Sequence, residues 1–355
     1  MDIKKFAALF IVIIALIVLL VGGKHLLIPF MVAFMVYVFI REIRHLLNKV
    51  PLIKDKVPNW IKSAISFLII CSFFTVVVRL ISSNIQVLSG SLPIYEENIG
   101  TIINSINNTF EIDLLLMVKG FTQGYDYSNI LLQVINSIRD LFGKTVLVLI
   151  YMLFLLLEES IFDAKIKAIY PDPNNYQRIS GILDKIKSSI RDYITLKSLT
   201  SFATGFLSYF ALLFIGVDAP MFWAFLIFVL NYIPTIGSLI ATSFPAIFAL
   251  LQFGEFWPLL LVVILVGAIQ IVVGSIMEPR IMGDSFNISP LVVIISLSFW
   301  GTLWGIIGFI LSMPITVILI IIFAEFPSTR PVAIMLSENG KVGEPLQSSS
   351  SIIRW

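Results

Sequence analysis

The chain contains 355 residues, of which 58% are hydrophobic and only 13% are charged. Soluble domains carry about a quarter charged residues, so this composition excludes a soluble protein and indicates an integral membrane protein. The formal net charge of +2 predicts no nucleic-acid partner. One cysteine and two histidines leave no basis for a zinc site or a histidine-dependent catalytic triad. We therefore predict no enzyme activity, no catalytic residues and no metal or other cofactor.

Five apolar segments before residue 218 are long enough to cross a bilayer, which requires about 20 residues. The first follows Lys4 and Lys5 and resembles a signal peptide. It lacks a small-residue cleavage pattern and another apolar segment follows it directly, so we predict a retained helix. The five predicted spans are residues 6–23, 26–40, 61–78, 142–157 and 196–217.

Two regions next to these spans have helical patterns. Residues 82–141 are polar and contain isoleucines at helical spacing, which predicts an extracytoplasmic helical region. Its apolar stripes fit packing within the region or on the membrane surface, and they also fit a contact between subunits. Residues 176–194 carry an apolar stripe opposite charged side chains, which predicts a helix lying in the headgroup interface. The stripes consist of Ile81, Ile85, Leu88, Ile99, Ile102, Ile103, Ile106 and Phe110 on the outer side, and of Tyr176, Ile179, Leu183, Ile186, Ile190, Tyr193 and Ile194 on the inner side.

Residues 219–254 and 285–324 contain no charged side chain. Continuous helices of these lengths would measure about 54 and 60 Å, nearly twice the thickness of the hydrocarbon core. Proline and glycine near the middle of each stretch predict a break, around Pro234 in the first and between Gly301 and Gly305 in the second. We therefore predict two re-entrant helical hairpins, separated by an ordinary span. Kinked helices that cross the whole membrane are the alternative.

The distribution of positive charge predicts the orientation. With the N-terminus inside, all but five of the 24 lysine and arginine residues lie in inner segments, as the positive-inside rule requires. This topology has six full spans, the sixth being residues 256–275, and two hairpins. It therefore has eight hydrophobic segments, and both termini lie in the cytoplasm. The five outer cations are Lys24, Arg79, Lys119, Arg139 and Lys144.

The two predicted hairpins also resemble each other when one is shifted onto the other. Two related hairpins of opposite orientation form the inverted repeat of secondary transporters, whose broken helices surround a site near the membrane midplane. We therefore predict that the two breaks approach each other there. The aligned pairs are Pro220 with Pro290, Asn231 with Gly301, Phe253 with Phe323, Glu255 with Glu325 and Phe256 with Phe326.

Three polar side chains in or beside the predicted membrane segments are candidates for function. Asn231, at the first break, fits a helix cap or a ligand contact. Gln270 fits a bridge between helices or a solute pathway. Glu278 fits a salt bridge with Arg280 or coupling to an ion. The predicted substrate pathway consists of Asn231, Pro234, Gly237, Gln270, Gly301 and Gly305, with close helix packing as the alternative role of Gly301 and Gly305.

Several short motifs are concentrated between residues 196 and 331. They are residues 231–237 (NYIPTIG), 278–283 (EPRIMG) and 289–293 (SPLVV), the pairs Trp300-Gly301, Trp304-Gly305 and Met313-Pro314, and residues 328–331 (STRP). Together they resemble the autoinducer-2 exporter family of bacterial membrane proteins. The resemblance implies a location in the bacterial inner membrane, and export of a small quorum-sensing signal or sodium/proton antiport. It also implies a homo-oligomer, with a pentamer expected.

We predict a secondary transporter that exports a small polar solute. The run Gly143-Lys144-Thr145 resembles the end of a phosphate-binding loop, but Ile138 occupies the position where that loop needs a glycine, so no ATP site is predicted. A sodium/proton antiporter or channel of the same fold is one alternative, and a structural or assembly protein acting through its outer helices is another. The expected partners are membrane lipids, the solute, and sodium or protons as coupling ions.

The predicted organisation has five parts. They are a three-span region (residues 1–80), the extracytoplasmic region (81–141), the fourth span with interfacial helices (142–195), a transport core with both hairpins (196–331) and a disordered cytoplasmic tail (332–355).

Overall fold

The computed structural model describes residues 3–50, 56–91, 94–95, 97–103, 145–282 and 287–342. Every secondary-structure element within these ranges is a helix. The α-helices are α1 (Ile3–Gly22), α2 (Lys24–Lys49), α3 (Asn59–Gly90), α4 (Thr145–Ile169), α5 (Pro173–Ile215), α6 (Pro220–Leu230), α7 (Ile236–Phe253), α8 (Phe256–Gln270), α9 (Glu278–Met282), α10 (Pro290–Glu325) and α11 (Arg330–Leu336), and a π-helix (Ile271–Met277) joins α8 to α9.

Seven helical segments within the described ranges are long and apolar enough to cross a membrane. Helix α6 is equally apolar but has only 11 residues. Large hydrophobic side chains remain exposed along these helices, for example Phe214 and Leu239, as expected where a helix faces lipid. The protein is therefore an all-α integral membrane protein, as predicted.

Helix α5 corrects one prediction. We expected residues 176–194 to form a separate helix in the headgroup interface, but they belong to a continuous helix of 43 residues. Ile190 on the apolar stripe shares a buried cluster with Val292 of α10. Lys185 on the charged face donates a hydrogen bond to the buried Glu325 carboxylate at 2.8 Å. An amphipathic pattern looks the same whether protein or headgroups cover it, so the sequence could not identify the covering surface.

The first long apolar stretch is interrupted around Pro234, as predicted. Helix α6 ends at Leu230 and α7 begins at Ile236. Ile227 of α6 and Ala241 of α7 belong to one buried cluster, so the two helices pack as a hairpin. At 1.5 Å per residue α6 is about 16 Å long, roughly half the thickness of the hydrocarbon core. Its re-entry into the membrane stays a prediction.

The second long apolar stretch folds back on itself at Gly305. This residue has φ 64° and ψ −141°, which no helical residue adopts. Thr316 donates a hydrogen bond to Ser296 at 2.9 Å, although these residues would be about 30 Å apart in a straight helix. Gly301 lies against the ring of Phe309, so the two arms are in close contact near the turn.

The close approach of these two arms predicts the effect of adding one methyl group. A Cβ atom at Gly308 would overlap the backbone carbonyl of Trp300. We expect Gly308→Ala to lower the free energy of unfolding by about 1–3 kcal/mol, the usual cost of overpacking. Gly267→Ala is the matched control, because nothing lies within 4 Å of its added Cβ, and it should raise stability by about 0.5–1 kcal/mol. Thermal unfolding in detergent measures both, and equal effects would contradict the hairpin geometry.

The chain divides into two compact units, and both are discontinuous in sequence. One unit comprises residues 1–66, 142–195 and 283–355, and the other comprises residues 67–141 and 196–282. In the first unit α2 packs on α4, and the indole of a tryptophan near the turn of α10 donates a hydrogen bond to α1. In the second unit the C-terminal part of α5 packs with α6, α7 and α8 around one buried cluster. The first hairpin belongs to the second unit.

The structure shortens the predicted tail. We expected disorder from residue 332, but α11 continues to Leu336 and Ala333 is fully buried. The Asn287 side chain then accepts hydrogen bonds from the next backbone amides, those of Glu338 and Asn339, both at 3.1 Å. Residues 343–355 of the tail lie outside the described residues. So do Ile106 and Phe110 and most of the extracytoplasmic region, and the side chains of Ile81 and Ile85.

Candidate functional site

A line of polar side chains runs along one face of α5 in the second unit. They recur every three or four residues, so they lie on one face of the helix. All of them are at most 4% exposed, although the helix is apolar enough to span a membrane. We call this face, together with Asn231, Gln270 and Glu278, the polar track. The α5 residues of the track are Lys197, Thr200, Ser201, Thr204 and Ser208.

An ion pair forms the first end of the polar track. Lys197 Nζ lies 2.6 Å from Glu278 Oε1, and the lysine side chain is 5% exposed. The carboxylate that we singled out in the sequence therefore binds a lysine 81 residues away. Glu278 is the first residue of α9 and directly follows the π-helix. The stability of such a buried ion pair depends on both members, because either charge is costly to bury without its partner.

The tip of the first hairpin is anchored to the middle of the track. Asn231 donates a hydrogen bond to Ser201 at 3.1 Å, and the hydroxyl groups of Tyr232 and Ser198 are 2.7 Å apart. Asn231 is 5% exposed. Its amide group therefore binds a side chain of α5, and no side-chain cap bond is found at the start of α7. The ligand contact that we considered stays a prediction.

The turn after this anchor is strained. Thr235 has φ 60° and ψ −62°, and the amide of Ile236 donates to the carbonyl oxygen of Pro234 at 2.6 Å. These values define a γ-turn of the rare positive-φ class, and they are unusual for a β-branched residue. Gly237 fits because a Cβ there would overlap the carbonyl of Leu230. Pro234 and Gly237 thus shape the tip.

Gln270 is a buried polar side chain of the track whose amide is unsatisfied. It is 7% exposed, and neither amide atom has a hydrogen-bond partner among the residues that the structure describes. An unmade hydrogen bond to a buried amide costs about 1–3 kcal/mol, so unsatisfied buried amides are rare in folded proteins and often have a functional role. The π-helix begins at the next residue, and short π-helical segments within α-helices are frequent at functional sites. The hydroxyl of Ser208 is likewise buried without a described partner.

Two contacts between α5 and α8 give the position of Gln270 along the track. Helices α5 and α8 run antiparallel, since Lys197 pairs with Glu278 at one end while Leu212 and Val262 share a buried cluster at the other. Gln270 lies eight residues from Glu278, and seven residues of this stretch form the π-helix. Because a π-helix rises less per residue than the 1.5 Å of an α-helix, Gln270 is at most about 12 Å from the ion pair along its helix. Thr204 and Ser208 lie about 10 and 16 Å along α5. By this count the unpaired amide is nearer in position to Thr204 than to Ser208.

A second feature between the same helices is apolar. A groove of about 750 Å³ is lined by Phe210 and Phe214 of α5 and by Leu265 and Ile269 of α8. Its walls offer no charged or hydrogen-bonding side chain, so it suits a lipid acyl chain and not a polar solute.

The remaining candidates, Gly301 and Gly305, belong to the other unit. Gly305 provides the positive φ of the turn and Gly301 the room for a packed aromatic ring. Gly301 is thus closely packed, as in the alternative that we gave, whereas nothing lies within 4 Å of a Cβ built on Gly305. A place of either glycine in the substrate pathway stays a prediction. The meeting of the two hairpin tips at the midplane stays a prediction.

Sequence reasoning missed the α5 half of the track. Lys197 was read as one of many cytoplasmic cations, and Ser201 and Ser208 as ordinary residues of a span. The spacing of the small polar residues was a usable signal, because it places them on one helix face. What the sequence lacked was any sign that this face is buried.

Comparison with known proteins decides the family. The sequence profile described as "AI-2E family transporter" matches residues 8–328, nearly the whole chain. The chain belongs to the AI-2E transporter family. This confirms the resemblance seen in the motifs around the two helix breaks.

Three bacterial relatives of this AI-2E family protein have names that describe transport. A putative transport protein of Borreliella burgdorferi is 35% identical over 67% of this chain and 66% of its own length. One of Haemophilus influenzae is 29% identical over 92% and 95%. The AI-2 transport protein TqsA of Escherichia coli K12 is 29% identical over 92% and 94%. The AI-2E family protein is thus a multi-pass membrane transport protein and not an enzyme.

Proposed function

We propose that this protein is a secondary transporter that exports a small polar solute, such as a quorum-sensing signal, along the polar track of the second unit. The observation that carries the proposal is Gln270, whose amide is buried without a described partner. A solute that leaves water must replace its hydrogen bonds, and a buried amide with unused donors and acceptors is equipped to supply them.

Ser208 adds a hydroxyl group to the proposed site, and neither group is charged. The charged pair of Lys197 and Glu278 lies eight residues from Gln270, at most about 12 Å along the helix. A solute at the level of Gln270 would therefore meet amide and hydroxyl groups. This set suits a neutral, hydroxyl-bearing molecule better than a strongly charged one.

The proposed topology keeps the features predicted from the sequence. The first hairpin is re-entrant because α6, with 11 residues, is too short to span. Both termini lie in the cytoplasm of a bacterial cell, and the protein resides in the inner membrane. The protein assembles as a homo-oligomer, for which a pentamer is the expected form.

The test is solute flux in liposomes that contain the purified protein. The name of TqsA suggests AI-2 as the first solute, and simple polyols of similar size serve as further probes. Flux that depends on the protein, needs no ATP and saturates with solute would support the proposal. Flux of no probe, under any imposed ion gradient, would overturn it.

Sodium/proton antiport is the second candidate, and the Lys197–Glu278 pair favours it. Paired ionisable groups in membrane segments mark ion pathways in transporters, so this pair would link an ion to the state of the track. We expect Glu278→Gln to abolish or flatten the dependence of flux on pH and sodium. Glu158→Gln is the matched control, since that carboxylate is 45% exposed. Unchanged ion dependence in Glu278→Gln would remove the antiport candidate.

A further inference from the structure

The outer ends of α5, α6 and α7 are joined by hydrogen bonds in the second unit. The Gln252 side chain accepts from the backbone amide of Asp218 at 2.7 Å and donates to the carbonyl oxygen of Gly216 at 2.9 Å. The Trp223 indole donates to the carbonyl oxygen of Asp218 at 3.1 Å. These bonds close the root of the first hairpin, which we define as Gly216, Asp218 and Gln252.

Asn98, in the extracytoplasmic region, binds to this root. Its Nδ2 donates to the carbonyl oxygens of Leu251 at 3.0 Å and Gln252 at 2.8 Å. The last carbonyl groups of an α-helix lack partners within the helix, so Asn98 caps the end of α7. Gly254, the cap residue with φ 69°, lies directly against the Asn98 side chain.

Tyr95 makes a second contact between the extracytoplasmic region and the root. Its hydroxyl donates to the Asp218 carboxylate at 2.9 Å, and its ring packs edge-on against Phe248 at 5.1 Å between centroids. The side chain is 6% exposed. Burial raises the pKa of Tyr95 to about 12, so the phenol keeps its proton and its donor role at alkaline as well as neutral pH.

Helix α6 is bounded at both ends by strained backbone. Ala219, directly before it, has φ 55°, and Thr235 in the turn after it has φ 60°. Residues other than glycine adopt such angles only where their surroundings impose them, because the conformation is unfavourable for a side chain with a Cβ. At Ala219 the surroundings include Asp218, whose backbone and side chain are both held by the bonds described above.

We propose that Tyr95 and Asn98 form a latch that holds α6 in this strained position, and that release of the latch lets α6 move against the polar track. The latch acts from the extracytoplasmic side, and its closed state is the one in the structure. The inference rests on the proposed function, because the movement would change access to the transport site. It assigns regulation of that site to the extracytoplasmic region.

A disulfide can replace the latch. The Cβ of Asn98 lies 3.5 Å from a Cβ built on Gly254, at the short end of the range for disulfides. The test uses the full-length protein with Cys71→Ala, Asn98→Cys and Gly254→Cys, oxidised or reduced. Amide hydrogen exchange of residues 220–230 and solute flux are measured on the same liposomes. We expect oxidation to slow exchange in α6 at least tenfold and flux at least tenfold, and reduction to reverse both.

The variant Tyr95→Phe tests the latch without a cross-link. Loss of the hydroxyl should speed exchange in residues 220–230 about threefold to tenfold, whereas Tyr170→Phe, at a more exposed position outside this unit, should not. If neither oxidation nor Tyr95→Phe changes exchange in α6, the latch is wrong, whatever the flux. If exchange responds but the parent transports nothing, the latch stands and the proposed transport fails. Exchange that responds while flux is unaffected would overturn the regulatory role.

Discussion

Replacing Gln270 by leucine is expected to reduce solute flux at least tenfold while making the fold more stable. The two effects have opposite signs because the amide has no described partner to lose. Removing a buried, unsatisfied polar group should raise the free energy of unfolding by about 1–3 kcal/mol. The same change deprives a bound solute of the donor and acceptor that the track offers it.

Flux into liposomes and thermal unfolding in detergent measure the two effects. Ile269→Leu, at the neighbouring position, is the matched control and should alter neither quantity by much. If Gln270→Leu were destabilised as well as inactive, the amide would have a structural role, and its unsatisfied state could not support the assignment of Gln270 to the solute site. Flux at the parent rate would place the site elsewhere.

Replacing Lys197 by methionine is expected to lower the free energy of unfolding by about 3–5 kcal/mol. The reason is the carboxylate that remains: Glu278 is 18% exposed and would lose its partner at 2.6 Å. The double variant Lys197→Met with Glu278→Leu should recover most of that loss, because it leaves no unpaired charge.

An exposed ion pair provides the control for the Lys197→Met variant. Lys187 and Asp184 are 46% and 67% exposed and lie 3.3 Å apart. Lys187→Met should change stability by less than about 1 kcal/mol, since surface pairs contribute little. Denaturant titration of the four proteins measures the effects. Equal losses for Lys197→Met and Lys187→Met would mean that water screens both pairs alike.

The helix breaks show how much a local pattern can predict. Pro234 and Gly305 act on their own backbone, one by lacking an amide donor and the other by adopting a positive φ. Their effect needs no partner, so both breaks were predictable from the sequence. The same holds for the spans, because composition over about 20 residues decides whether a helix suits a membrane.

The site residues were predicted less evenly. Gln270 and Glu278 were found because polar side chains are conspicuous in or beside apolar spans. Their hydrogen-bond partners were not predicted. The Gln270 amide has no described partner, and Glu278 binds a lysine that is 81 residues away. Asn231 was identified too, but its bond to Ser201 gives it an anchoring role that its position in the sequence did not reveal.

By itself the sequence determined that this protein is an all-α membrane transport protein with two interrupted apolar stretches. Composition, helix length and the conformations open to proline and glycine are properties of short segments, and they act in the same way in any fold. Only the tertiary structure decided that the apolar face of the first half of α5 is covered by protein, and that Lys197 meets Glu278 while Gln270 meets no described partner. These facts depend on which helices become neighbours. In an apolar chain almost every helix face is hydrophobic enough to be buried, so hydrophobicity alone does not select the neighbour.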